Sequence, residues 1–138
     1  MKTSPLHHAL REAQKAFSQD EVPVGAVIVD SVSGDIIAAT HNEVEARKDS
    51  TAHAELLAIQ YACTSKGRGR LEDCDIHVTL EPCPMCAQAI SFVRLRRLYF
   101  GAYDPKGGGV DHGAKIFNAS SCHHTPEVIG GLEEQKCA

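Results

Sequence analysis

Between positions 5 and 18, apolar residues recur at helical spacing. Leu6, Ala9, Leu10, Ala13, Ala16 and Phe17 form one stripe, with Arg11, Glu12 and Lys15 opposite. The segment "VPVGAVIVD" is apolar nearly throughout and reads as a strand buried on both faces. "DSVSGD" is a turn and "IIAATHN" a second strand, so the two form a hairpin. Asp49, Ser50 and Thr51 are capping types ahead of "AHAELLAIQYAC", a helix of good formers. "KGRGRLED" is a basic loop and "DIHVTLE" a third strand. Pro84 suits the first turn of the helix "PMCAQAISFVRL", where a missing N–H costs nothing.

"RRLYFGA" is a fourth strand, followed by the glycine-rich loop "YDPKGGGVDHGAK" and a short helical turn around Ile116 and Phe117. "HTPEVIGG" carries a short fifth strand, and "LEEQKCA" begins a last helix. A hairpin followed by helix–strand alternation predicts an α/β class with a layered sheet, largely parallel after the hairpin.

Length and composition leave that picture intact. The chain has 138 residues with 43% apolar and 23% charged, the mix of one globular domain, expected over residues 1–138. No apolar run approaches the ~20 residues of a membrane-spanning helix. The first residues, "MKTSPLHHALREAQKAF", carry charges throughout and lack the apolar centre of a secretory signal. A cytoplasmic location with reduced thiols is therefore expected, with no membrane partner. The six cysteines, Cys63, Cys74, Cys83, Cys86, Cys122 and Cys137, then read as free thiols. A net charge of −4 argues against a generally basic nucleic-acid binder but not against a local basic patch.

The segment "TLEPCPMCAQAI" changes the picture more. Cys83 and Cys86 sit three apart at the start of a helix, on one face and near its positive end, which favours the thiolate. They are a dithiol, two core cysteines, or half of a tetrahedral zinc shell. His53 has the best claim among eight histidines to a third place, because it opens the preceding helix. Glu55 lies two residues on in an apolar setting, and in such a shell it would sit beside the open fourth position. A zinc ion held by one imidazole and two thiolates, with a bound water and a neighbouring carboxylate, implies hydrolysis. Glu55 would carry the protons.

"HAE" at 53–55 and "PCPMC" at 82–86 reproduce the H-x-E…P-C-x-x-C signature established for zinc nucleobase deaminases. The chain also resembles, from Leu6 onward, the bacterial tRNA-specific adenosine deaminases. "EVPVGAVIV", "HNEVEARKDSTAHAELLAI", "VTLEPCPMCAQAI" and "RRLYFGAYDPKGG" carry the likeness.

The resemblance implies a three-layer α/β/α sandwich of the cytidine deaminase type, with a mixed sheet of about five strands starting with an antiparallel hairpin. It implies one Zn2+ per subunit with a bound water or hydroxide, held by His53, Cys83 and Cys86, with Glu55 catalytic. It implies a homodimer that converts the wobble adenosine of an arginine tRNA to inosine in the anticodon stem-loop. Asn42 matches the family's base-contacting asparagine and Val24 an apolar pocket wall. Asp104 and Lys106 match the loop facing the anticodon backbone. Family chains usually continue into a longer C-terminal helix with aromatic and basic residues, whereas this sequence stops at Ala138.

Plainer readings stand beside these. Asn42 suits a strand-end turn, and Asp104 before Pro105 suits a turn as well. Arg94, Arg96 and Arg97, like Lys66, Arg68 and Arg70, make either an RNA-facing patch or a solvated face. "CHH" at 122–124 lacks metal-ligand spacing and reads as loop. Two other functions share parts of the pattern. A deaminase of free guanine or cytosine would keep the zinc site, and a structural zinc module would have no use for Glu55.

Overall fold

The computed structural model describes residues 4–137. Five strands form one sheet in the order β2-β1-β3-β4-β5. They are β1 (Gly25–Asp30), β2 (Ile36–His41), β3 (Cys74–Leu80), β4 (Arg97–Ala102) and β5 (Glu127–Ile129). The helices are α1 (Pro5–Ser18), α2 (Val44–Arg47), α3 (Ala54–Lys66), α4 (Pro84–Phe92) and α5 (Glu134–Cys137), and Ile116–Asn118 make a 3-10 turn. The expected sandwich is present: a mixed five-stranded sheet that opens with an antiparallel hairpin and carries helices on both faces.

β1 pairs antiparallel with both β2 and β3, while β3–β4 and β4–β5 are parallel. β1 is thus the one reversed strand, and β2 and β3 run the same way. This orientation brings the starts of α3 and α4, which follow those two strands, to a single edge of the sheet.

β1 is buried along nearly its whole length. Val27 and Val29 pack on Leu6 and Ala9 of α1, while Ala26 and Ile28 face the other layer. In that layer Ala54, Ala58 and Ala62 of α3 and Ala87 and Ile90 of α4 close over Ile76, Val78, Leu98 and Phe100. Gly25 has no room for a side chain, because a Cβ there would strike the backbone of Ala9 and Ala13. α1 can therefore lie directly on the strand.

Four local expectations shift. β1 starts at Gly25 rather than Val22, and Val22 stays 64% exposed just before Pro23. The turn α2 carries no apolar periodicity that would have announced it. α4 stops at Phe92 because Arg94 turns left-handed (φ 57°), with Leu95 N–H donating to Ile90 O and Arg94 N–H to Ser91 O.

The fourth shift is the cap of α3. None of Asp49, Ser50 and Thr51 holds it; the cap position is His53, whose side chain bonds no helix N–H. Asp49 is instead occupied locally by Thr51.

Candidate active site

Two helix starts converge on one point, and in both the cap position is a possible metal ligand. His53 precedes α3 and Cys83 precedes α4, each extended and neither capping its own helix. Their side chains are thereby left free for other work. Pro84 follows Cys83 at the first helical position, and Cys86 sits one turn in, buried. The free N–H of Ala54 is met from outside the helix: Asn42, at the end of β2, accepts it through Oδ1 at 2.7 Å. Asn42, twelve residues before Ala54, thus replaces the nearer capping residues that the sequence predicts at 49–51.

Cys83 Sγ lies 3.5 Å and Cys86 Sγ 3.7 Å from His53 Nδ1, and the three atoms form one compact group. Zinc–sulfur bonds of ~2.3 Å and zinc–nitrogen bonds of ~2.0 Å at tetrahedral angles imply edges of about 3.5 to 3.8 Å. The donors therefore have the spacing and chemistry for zinc. Among the described residues the group has no fourth protein member, which leaves one vertex open.

Electrostatics within the group favour a cation. Cys86 donates a hydrogen bond to Cys83; that bond, helped by the Cys86 N–H and His53 against the cost of burial, lowers Cys83 to about 5. Cys86 is pushed up, by that same bond and by burial. Glu55 is 4% exposed, and burial holds it up at about 7 against the pull of a backbone N–H, His53 and Cys86. A carboxyl near neutrality can both accept and release a proton.

These residues border a cavity of about 430 Å3, whose wall includes Val24, Asn42, Val44, Leu80, Asp104 and Gly107 beside His53, Glu55 and Cys83. Asn42 is 6% exposed; its Oδ1 is engaged, and its NH2 has no partner among the described residues. Val24, Asn42 and Asp104 thus share the cavity with the metal-type group. Lys106 does not line it and is exposed. Asp104 also serves a turn: its Oδ1 accepts the N–H groups of Lys106 and Gly107.

Sequence reasoning assigned Glu81 no role. Its side chain is wholly buried and accepts five bonds. The backbone donors are Asp104, Val110, Asp111 and His112, at 2.9 to 3.1 Å, and His112 Nδ1 adds a fifth at 2.7 Å. Burial alone would raise this carboxyl, but the imidazole of His112 and the backbone N–H groups hold it below the usual range. Loop 103–112 is thus wound around one carboxylate.

The loop's glycines follow from this winding. A Cβ on Gly108 would strike the Glu81 carboxyl, and one on Gly109 would strike Pro84. Gly109 N–H donates to Pro82 O at 2.7 Å, so the loop lies across the start of α4. The only signal in the sequence was an acid just ahead of "PCPMC" together with a triple glycine.

Glu21, also on the cavity wall, was missed as well; its carboxylate caps α2 by accepting from Glu45 and Ala46. Arg96 and Arg97 pair with Asp75 and Glu127, and Lys66 and Arg68 with Asp30 and Asp73, so these four belong to the solvated face. All six cysteines are unbridged.

A sheet of this order with a His–Cys–Cys group at its edge defines a zinc-binding nucleobase deaminase fold. Residues 2–102 match the cytidine and deoxycytidylate deaminase zinc-binding region. The tRNA-specific adenosine deaminase of Agrobacterium fabrum is 50% identical over 137 residues, 99% of this chain and 89% of that one. Its counterpart in Bacillus subtilis is 44% identical over 132 residues, 96% and 81% of the two chains. A solved structure from work on A-to-I editing by tRNA:A34 deaminases at the wobble position superposes with a TM-score of 0.94 at 49% identity. It covers 99% of this chain and 97% of its own. The chain belongs to the tRNA-specific adenosine deaminases.

Proposed function

We propose that the protein converts a wobble adenosine in a tRNA anticodon loop to inosine by zinc-dependent hydrolytic deamination, with an arginine tRNA as substrate. The observation that carries this reading is a buried Glu55 next to a three-donor group, inside a cavity sized for one nucleoside. One zinc ion per subunit, held by His53, Cys83 and Cys86, would supply a polarised water at the open vertex.

The chain's own residues do the rest. Glu55 takes a proton from the attacking water as its oxygen adds to C6 of adenine, and passes it to N1. A second transfer through Glu55 protonates the exocyclic nitrogen, which departs as ammonia and leaves the C6 carbonyl of inosine. Asn42 donates its free amide N–H to the base, while its Oδ1 stays on Ala54 and fixes its direction. Val24 and Leu80 cover the ring and exclude water. Asp104 borders the entrance, and Lys106 meets the RNA backbone outside it. The adenosine enters flipped from the loop, since C6 cannot be reached in a stack, and an RNA loop splays a base at low cost.

The same reading makes the protein a cytoplasmic homodimer acting as one 1–138 deaminase domain. No helix among the described residues is long and apolar enough to cross a membrane.

The test offers the zinc-loaded protein a wobble-adenosine anticodon stem-loop and, separately, free adenosine, guanine and cytosine. Inosine in the RNA with release of ammonia is expected. Ammonia from a free base with untouched RNA would replace this reading with a nucleobase deaminase.

A further inference from the structure

Glu12 departs from the pattern of its helix. The sequence places it with Arg11 and Lys15 on the polar side of α1, yet it is 8% exposed and lies in the buried row with Ala9, Ala13 and Ala16. Its carboxylate meets the end of β2. His41 Nδ1–H donates to Oε1 at 2.9 Å, and Lys15 Nζ donates to Oε2 at 2.8 Å. The other ring nitrogen of His41 lies 3.3 Å from Gln19 Oε1, so one imidazole ties the strand end to α1 and to the residue that closes it. Burial alone would raise the Glu12 carboxyl, but its bonds to His41 and Lys15 hold it below the usual range.

Packing α1 on β2 does not require such a pair. Burying a carboxylate against an imidazole costs desolvation that two apolar side chains would avoid. What the hydrogen-bonded pair adds is a fixed direction.

That direction matters one residue further on. Successive side chains of a strand point to opposite faces, so Thr40 and Asn42 face α3 while His41 faces α1. Thr40 Oγ1–H donates to Ala54 O at 2.7 Å, and Asn42 Oδ1 accepts from Ala54 N–H at 2.7 Å. His41 itself forms the last rung with Gly25, where α1 lies directly on the sheet. Immediately beyond that rung Asn42 N–H donates to Val24 O at 3.2 Å, and both residues line the main cavity. The strand end is thus pinned to the start of α3 on one face and to Glu12 on the other.

We propose that the Glu12–His41 pair positions Asn42 for the substrate: it holds the end of β2 from behind, so that the free amide of Asn42 is aimed at the adenine. This role presupposes the reading of the protein as an adenosine deaminase. Neither Glu12 nor His41 lines the cavity, so both act through Asn42 and touch no base themselves.

The test uses the zinc-loaded protein and an anticodon stem-loop. His41→Phe keeps a ring in place and removes the donor. It is expected to raise KM about threefold, to leave kcat within about twofold and to retain zinc. His41→Gln, which keeps an N–H for Glu12, should hold KM near that of the parent. Glu12→Gln keeps the shape and loses only the charge, and should shift KM in the same direction as His41→Phe by less. In a protein already carrying Asn42→Ala, neither His41→Phe nor Glu12→Gln should change KM further. Arg11→Ala, which removes an exposed charge from the same helix, is the control and should change none of these quantities. Equal KM factors with and without Asn42 would overturn the proposal, as would zinc loss or a fall in kcat as large as the rise in KM.

Amide hydrogen exchange at Ala54 reads the arrangement without turnover. Its N–H is bonded to Asn42 Oδ1, so a loosened strand end should speed exchange about threefold to tenfold in His41→Phe, with no change in His41→Gln or Arg11→Ala. If the parent deaminates no stem-loop, faster exchange in His41→Phe still supports the pair, and only the substrate assignment fails. Unchanged exchange in His41→Phe overturns the pair whatever the activity.

Discussion

The floor and the outer wall of the main cavity are built in opposite ways. The floor carries His53, Glu55 and Cys83, each at the cap or in the first turn of α3 or α4, with Cys86 buried behind them. Helix geometry sets their directions, and two parallel-running strands deliver both helices to one edge. The wall is loop 103–112, which has no regular structure and takes its form from Glu81. Removal of one donor from the floor should cost the metal while loop 103–112 keeps its place. Removal of Glu81 should loosen the wall and leave the metal group assembled. The chemistry is thus carried by elements stable in themselves, and substrate fit by a segment that depends on one buried charge.

The largest expected effect is on the floor. Glu55→Gln should reduce kcat by about 10²- to 10⁴-fold, with full zinc content by elemental analysis, because it removes the proton carrier and no ligand. Cys86→Ala should lose zinc and unfold at lower denaturant, since metal affinity is coupled to folding. A chelator should produce the same shift in the parent protein and none in the variant.

Glu81→Ala tests the wall. It leaves four backbone N–H groups and an imidazole without their acceptor, at a cost of about 2 to 4 kcal/mol in urea unfolding. KM should rise far more than kcat falls, and zinc content should not change. Loss of zinc from this variant would mean that floor and wall are one cooperative unit.

A smaller effect comes from a residue belonging to neither region. His77 stacks on Tyr99, with ring centroids 4.4 Å apart, and burial holds its imidazole down at about 4. In the fold it stays neutral, whereas the unfolded chain takes up a proton below the ordinary value of 6.5. Its influence is level above 6.5, and stability falls as pH drops from there towards 4, by about 3 kcal/mol in all. Glu81, held below the usual carboxylate range, adds a loss at still lower pH. His77→Phe should flatten the upper part of the profile measured by urea titration at stepped pH.

The smallest effect is expected at Asn42. Asn42→Ala removes the acceptor of the Ala54 N–H and should cost about 1 kcal/mol of stability, with a KM increase if its free amide holds the base. An unchanged KM would leave Asn42 as a cap alone.

The metal-type group was legible in the sequence because its information is local. Three-residue spacing in "PCPMC" and two-residue spacing in "HAE" map directly onto a helix turn. The alternation of helices and strands was legible for the same reason. Glu81 was not, since its donors lie 23 to 31 residues away and nothing in their types marks them as partners. The cap of α3 was misplaced because three suitable residues stood nearby, while the working acceptor, Asn42, comes from the end of a strand. The basic residues could not be sorted from the sequence either. Arg94 and Arg96 look alike there, and only packing gives one an aspartate and leaves the other bare.

The linear chain by itself determined periodicity, helix starts and the types of donor at each start, because these depend on neighbours within a turn or two. Tertiary structure decided that β1 runs against its neighbours, that two helix starts meet, that one carboxylate gathers a loop, and which charges stay unpaired. Such contacts join residues distant along the polymer. Their free energy comes from burial and hydrogen bonding that exist only after the sheet has set its strand order.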